Sequence, residues 1–437
     1  MGKVLIVTYY WPPSAGVGVQ RWLKLSKYLS ENGWDPVIFT PENPDFSVKD
    51  KTLEKQISPE IEVIRFPIWE PFQFFHALTG GKNKNSVKQG VVLEKTKQSL
   101  FEKASVWIRG NFLLPDPRVF WVKPSIKYLL DIVDKNQIDA VITTGPPHSM
   151  HLIGLGLKKT KGLKWLADFR DPWSEWDLLP KLKTTTLAHS IHRKLEQKVL
   201  KKADCILTVG PRLAEGFTAL GAKKVEVLYN GVDPEDYEGL TVSKPTPTKF
   251  IISHIGLMND TRNPSALWKA LRELIEENEV FADNFQLNLA GIVSENILDD
   301  FKKDPLLSEK LVYTPYLSHE DVFKEAANSS LLMVILNNTD NARWILPMKM
   351  YEYLSVGRPI LLLGPEKSDA EGIIESLKAG FSVRFDDKDS LKRAIEITFQ
   401  DYINGNIERK AHDMAAFDRK SQAKRLAAFL DELVLEK

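Results

Sequence analysis

The chain has 437 residues, 43% of them hydrophobic and 27% charged, with a formal net charge of +1. That is the composition of an ordinary globular protein with room for two or three domains, and the near-zero charge gives no footprint for nucleic acid. A single cysteine, Cys205, excludes an internal disulfide framework and fits a reducing compartment.

No apolar run reaches the length of a membrane span. The opening MGKVLIVTYYWPP carries an apolar stretch too short for a secretory leader and runs straight into a fold element. Gly2 begins no myristoylation signal, because residue 6 is Ile. A cytoplasmic location is the expectation.

In chain order, β-rich runs alternate with helical stretches. The first half predicts strands at KVLIVTY, DPVIFT, IEVIRF, IDAVITTG, LKWLADF, ADCILTVG and VEVLYNG, with helices such as VQRWLKLSKYLSENG and SIKYLLDIVDKN between them. The second half predicts strands at KFIISHIG, FQLNLAG, KLVYTPY, SLLMVILN, RPILLLG and FSVRF. Continuous apolar strands separated by helices predict parallel sheets covered on both faces. The polar, proline-containing stretch at residues 234–249 reads as a linker between two doubly wound domains. In such domains ligands bind beyond the carboxyl ends of the strands.

Residues 67–121 break the rhythm, being rich in aromatics and Lys with no clear strand. This segment reads either as an insertion packed on the first domain or as an amphipathic surface that meets a membrane or a lipid-linked acceptor.

Several clusters can carry chemistry. In YYWPPSAGVGVQRW, Gly16 and Gly18 precede a helix beginning near Val19, whose free amides can hold an anion. A dinucleotide fingerprint fails there, because residue 21 is Arg and the loop after the strand is too long. In TTGPPHSMHLIG, His148 lies just past a strand end, whereas His151 reads as a helix-face residue. In ADFRDPWSEW, Asp168, Arg170 and Asp171 cluster at a strand end, and an internal Arg–Asp pair stiffening the loop is the plain alternative. Asp168 is the better candidate for structure and Asp171 for the site. Asn230-Gly231 in YNGVDPEDY is a turn signal.

In the second half, SHIGLMNDTRNP places Gly256 at a strand end and Arg262 at the start of the next helix, where the guanidinium can pair with phosphate. ILPMKMYEYLSVGRPILLLG poses a sharper question. Pro347 opens a short apolar helix and Gly357 ends it, so Glu352 should be buried and needs a partner. Lys349 sits near the helix's positive end, where an anion would relieve it. Phosphate at the helix start and ribose hydroxyls on Glu352 answer the question; a Lys349–Glu352 ion pair within the helix is the plain alternative. No metal-ligand spacing, G-x-S-x-G elbow or Walker loop is present.

Taken together, WPPSAGVGVQR, TTGPPHSMHLIG, ADFRDPW, YNGVD, HIGLMNDTR, NLAG and PMKMYEYLSVGRPI resemble the retaining GT-B glycosyltransferases of family 4, most of all bacterial members that build surface polysaccharides. The resemblance implies an α/β fold of two doubly wound Rossmann-like domains facing a cleft. Residues 1–235 would form the acceptor-side domain with the 67–121 insertion, residues 245–405 the nucleotide-sugar domain, and residues 406–437 a helix returning to the first domain. It implies metal-independent transfer from a nucleotide diphosphate sugar to a glycan or lipid-linked acceptor, with no cofactor beyond the donor and with retained configuration.

Carried onto this chain, the family's ribose-binding Glu is Glu352 and its second phosphate-binding cation is Arg262. Its first falls on Leu257, where Lys349 or Arg343 would substitute. Eight positions before Glu352, where many members have a donor-sugar Glu, stands Trp344. Gly16 and Gly18 would approach the donor phosphates, His148 the transferred sugar, Tyr316 and Leu317 the base, and Pro347, Met348 and Gly256 would complete the donor site. His148, Asp171, Arg262 and Lys349 are the expected catalytic set. A sugar-nucleotide epimerase of the same fold and a non-catalytic partner subunit are the competing readings.

Overall fold

The computed structural model describes residues 1–44, 46, 49–71, 100–176, 179–237, 248–407 and 409–435. It divides into two compact units, residues 1–229 with 419–437, and residues 230–418.

The first unit is built on a seven-stranded sheet in the order β3-β2-β1-β4-β5-β6-β7. Its strands are β1 (Gly2–Val7), β2 (Trp34–Pro41), β3 (Glu62–Phe66), β4 (Ala140–Gly145), β5 (Lys164–Phe169), β6 (Cys205–Thr208) and β7 (Val225–Val227). Every pairing is parallel, with Val4 opposite Pro36 on one side and Ala140 on the other. The reversal of order at β1/β4 is the topological switch point, where this architecture places ligands. Central strands such as GKVLIV and AVITTG are buried on both faces, because crossover helices cover each side. One such helix, Val17–Glu31, packs Val19, Trp22 and Leu23 into a core shared with Leu426, Leu430 and Leu433 of helix Arg419–Leu435.

The second unit carries a six-stranded parallel sheet in the order β10-β9-β8-β11-β12-β13. These strands are β8 (Phe250–Ile255), β9 (Phe285–Ala290), β10 (Leu311–Thr314), β11 (Leu331–Ile335), β12 (Ile360–Leu363) and β13 (Gly380–Val383). Its core joins Ile252, Leu287, Met333 and Leu361 of the strands to Leu271 and Ile395 of the covering helices. Among the described residues no helix is long and apolar enough to cross a membrane.

Some boundaries differ from expectation. The helix expected over residues 406–437 begins only at Arg419, because the chain before it is committed elsewhere: Lys410 N donates to the Gly357 carbonyl and Arg358 Nη1 to the Ile407 carbonyl. The helix expected near Val19 starts at Val17. Of the 67–121 segment, residues 72–99 lie outside the described residues, and helix Leu100–Asn111 is the element that follows them. The linker reading falls largely on residues 238–247, also outside the described residues; Pro234–Asp236 before them is a short 3-10 turn.

Candidate functional site

In the second unit the predicted donor-binding residues share one edge of the sheet, beyond the carboxyl ends of β8, β10 and β11. Helix Met348–Val356 follows Pro347, held at φ −67°, and ends at Gly357 with φ 76°, a left-handed conformation that costs glycine least. Glu352 is 7% exposed. Its partner in the free protein is Lys349, whose Nζ lies 2.6 Å from Oε2. The ion pair within the helix is therefore formed, and it spares the carboxylate an uncompensated burial.

The next residue, Tyr353, has a structural task that motif reading passed over. Its fully buried hydroxyl accepts a hydrogen bond from Ile255 N at 3.1 Å, locking the helix to the end of β8. The signal was present as the Tyr that directly follows Glu352, but only the fold reveals what it reaches.

Beyond β8 the chain turns at Gly256, φ 156°, and Gly256 N donates to the Ala290 carbonyl at 2.7 Å. Leu257 is exposed at this turn. Arg262 lies in a 3-10 turn, Asp260–Arg262, and not in the helix that starts at Ser265. Its Nε donates to Asn337 Oδ1 at 2.6 Å, and Asn338 N donates to the Thr261 carbonyl at 2.8 Å. The loops after β8 and β11 are thereby tied together, leaving the two Nη groups of Arg262 without a protein acceptor among the described residues.

His254, at the end of β8, escaped the sequence reading. Its Nδ1 faces the Met333 carbonyl at 3.2 Å. Burial above all, helped by the charges of Arg262 and Lys349 and opposed by hydrogen bonds to the backbone at Met333 and Leu257, brings its pKa down to about 4. The imidazole is thus neutral at pH 7 and adds no charge to an edge that already carries two cations. Tyr316 is 80% exposed and Leu317 half-buried in the loop after β10. Pro347, Met348 and Trp344 are half-buried near the start of the helix.

In the first unit the predicted residues gather beyond β1, β4 and β5. Gly16 caps helix Val17–Glu31 without a side-chain hydrogen bond, and no acid occupies the first turn. A Cβ on Gly18 would lie 2.6 Å from Arg170 Nη1, so this glycine permits a close approach. His148, 8% exposed, precedes helix Ser149–Lys161. The cap of that helix comes from Asp116, whose Oδ2 accepts from Ser149 N at 2.8 Å. The imidazole is left to stack on Trp173, centroids 4.8 Å apart and planes 4° from parallel. Burial, then the charges of His151, Arg170 and His192, hold its pKa well below the ordinary value.

His151 is a core residue. Its Nδ1 is 2.9 Å from Thr143 Oγ1, its ring stacks on Phe169 at 4.2 Å, and burial lowers its pKa to about 3.

The Arg–Asp pair exists, with a different arginine. Asp168 is fully buried and takes both Nε (3.2 Å) and Nη2 (2.9 Å) of Arg21, with further bonds from Trp22 Nε1 at 2.9 Å and Thr144 Oγ1 at 2.8 Å. The Arg21 guanidinium heads the local charges that keep this carboxyl below its usual range despite burial. The Arg170 side chain instead makes its one hydrogen bond among the described residues to the Pro146 carbonyl, at 2.7 Å. Asp171 is half-buried, and burial raises its pKa, opposed by Arg170.

Solved structures repeat this architecture over the whole chain. A glycosyltransferase from Rickettsia africae aligns at TM-score 0.63 and 15% identity, covering 100% of this chain and 99% of its own. The Anabaena protein HepE, in complex with UDP and glucose, aligns at TM-score 0.57 and 13% identity, covering 99% and 100%. The fold is GT-B. A putative UDP-N-acetylglucosamine 2-epimerase from Listeria monocytogenes also has the GT-B arrangement, with TM-score 0.55, 12% identity and coverage of 100% and 97%. By sequence, residues 90–236 match the Glycosyltransferase Family 4 model. No curated protein matches the chain.

Proposed function

We propose that this GT-B protein is a glycosyltransferase that moves a sugar from a nucleotide diphosphate sugar to a glycan or lipid-linked acceptor, with retained configuration and without a metal ion. The observation that carries the reading is helix Met348–Val356, which presents Lys349 in its first turn and Glu352 one turn on, beside Arg262 and Gly256 at the carboxyl edge of the sheet. The family match over residues 90–236 and the UDP and glucose held by HepE support the same class of donor.

In this reading Glu352 accepts hydrogen bonds from the ribose diol, and the loop at Tyr316 and Leu317 faces the base. Arg262, Lys349 and the amides after Pro347 take the charge that develops on the diphosphate as the C1–oxygen bond breaks, the electrostatic term that usually dominates such catalysis. The acceptor hydroxyl forms the new bond to C1 on the face the diphosphate leaves, and its proton passes to the departing phosphate oxygen. His148, neutral at pH 7, hydrogen-bonds the sugar without adding charge. Asp171, with its raised pKa, serves the acceptor side.

The acceptor reading draws on a second feature. Trp107 (42% exposed) and Phe112 (68% exposed) stand out from helix Leu100–Asn111 and the residue after it, with Ile108 beside them. Apolar groups in such a place suit the interfacial layer of a membrane, where a lipid-linked acceptor would be met.

The test is turnover. Release of nucleoside diphosphate that depends on added acceptor, with a glycosylated product, is the expected result. Interconversion of the nucleotide sugar alone would make the protein an epimerase, and binding without turnover would make it a partner subunit.

A further inference from the structure

Two polar side chains sealed inside the first unit lie behind His148: Thr143, on β4, and His151, in helix Ser149–Lys161. Thr143 Oγ1 has two partners among the described residues, Trp165 Nε1 at 2.9 Å and His151 Nδ1 at 2.9 Å. The indole N–H can only donate, so it takes the oxygen as acceptor. Were His151 Nδ1 to donate as well, the hydroxyl proton would be buried without an acceptor, a costly arrangement. The hydroxyl therefore donates to Nδ1, and His151 carries its own proton on Nε2.

His151 Nε2 and His148 Nδ1 are both buried without a hydrogen-bond partner among the described residues. They flank one spot: a methyl group on Gly145 would lie 2.5 Å from the first and 3.1 Å from the second. Two N–H groups turned on one buried spot repel, whereas an N–H opposite a lone pair attracts, and low local dielectric magnifies the difference. His148 Nδ1 is thus the bare nitrogen. The proton sits on Nε2, the ring nitrogen that is not sealed off, and stacking on Trp173 fixes the plane of the ring.

We propose that Thr143 and His151 are positioning residues that hold His148 as its Nε2–H tautomer, so that it offers a ligand one hydrogen-bond donor and no base. Such a histidine selects an oxygen, hydroxyl or carboxylate, at the point Nε2 reaches, and it cannot take a proton from an acceptor hydroxyl. That this oxygen belongs to the transferred sugar rests on the proposed glycosyltransferase function; the tautomer does not.

The experiment is heteronuclear NMR of the full-length protein, isotope-labelled at histidine, for the wild type, Thr143→Val and Thr143→Ser. His148→Gln and His151→Gln assign the signals, and the coupling pattern of each ring distinguishes its tautomers. In the wild type both rings should show the Nε2–H form alone. Thr143→Val keeps the shape but removes the hydroxyl, so His148 should become a mixture of tautomers, and Thr143→Ser should restore the wild-type pattern. Nδ1–H on either wild-type ring, or an unchanged pattern in Thr143→Val, overturns the proposal. If Thr143→Val fails to fold, the wild-type spectrum decides, since Nε2–H is required on both rings. On a nucleotide sugar that the wild type turns over, Thr143→Val should raise the donor KM about 3- to 10-fold, the worth of one hydrogen bond. An unchanged KM would remove the sugar as the ligand of His148. A wild type that turns over no nucleotide sugar sinks the proposed function and leaves the tautomer assignment standing.

Discussion

Nζ of Lys349 lies 2.6 Å from Oε2 of Glu352, one turn along the same helix, with the carboxylate 7% exposed and the ammonium partly in solvent. The pair neutralises Glu352 while leaving Lys349 able to turn toward an anion at the start of the helix. Removing one partner should therefore cost more than removing both. Lys349→Met alone should lower the unfolding free energy by about 1–3 kcal/mol, because it strands a buried acceptor. The double variant Lys349→Met/Glu352→Gln should recover most of that. Denaturant titrations arranged as a double-mutant cycle measure the coupling; additive losses would mean the pair is not formed in solution.

Asp168 and Arg21 make a buried bidentate pair, and Arg21→Met should cost about 3–5 kcal/mol by leaving the carboxylate uncompensated. Asp168 is held below its ordinary pKa, so its contribution is present at neutral pH. It is lost as pH falls through the ordinary carboxylate value of about 4 toward the folded value. The difference in stability between wild type and Arg21→Met should consequently shrink in acid, read by urea unfolding at pH 7 and pH 4. An unchanged difference would argue against an ionised Asp168.

The buried histidines set a second pH dependence, in the same direction. His151 titrates at about 3 and His254 at about 4 in the fold, against about 6.5 when unfolded. Below pH 6.5 the unfolded chain takes up protons that the native state refuses, so each group removes about 1.4 kcal/mol of stability per pH unit. That loss continues down to about pH 4 for His254 and about pH 3 for His151. Substituting His151→Gln should flatten the decline between pH 6.5 and pH 4.5, and a slope identical to wild type would place the titration elsewhere.

Tyr353 supplies the acceptor for Ile255 N at 3.1 Å. Tyr353→Phe should lower stability by about 1–3 kcal/mol, the cost of a buried amide left without a partner. It should also speed hydrogen exchange at Ile255. Unchanged exchange there would show that the bond does not hold the end of β8.

The strands were legible because parallel strands covered on both faces must be apolar throughout. GKVLIV, AVITTG and FIISHI announce themselves, and so do the ends of helix Met348–Val356 at Pro347 and Gly357. Groups joined across the sheet were not legible. Arg21 and Asp168 are 147 positions apart, and local reading assigned the arginine of the loop, Arg170, to a role that belongs to Arg21. Tyr353 reaching Ile255, and His254 turned toward Met333, depend on which strand follows which in the sheet, information that no window of neighbouring residues contains. The late start of the last helix has a similar origin, since residues before Arg419 are tied to Gly357 and Arg358.

The central claim, that Glu352 grips the ribose of a nucleotide diphosphate, is met most directly by calorimetric titration of wild type and Glu352→Ala with UDP, GDP and a 2′,3′-dideoxy analogue of whichever binds. The account predicts that wild type binds at least one of the two. Glu352→Ala should weaken it about 10- to 100-fold, while the dideoxy analogue binds both proteins equally weakly. Equal affinity of wild type and Glu352→Ala for the intact nucleotide, or no binding of either nucleotide by the wild type, would contradict it.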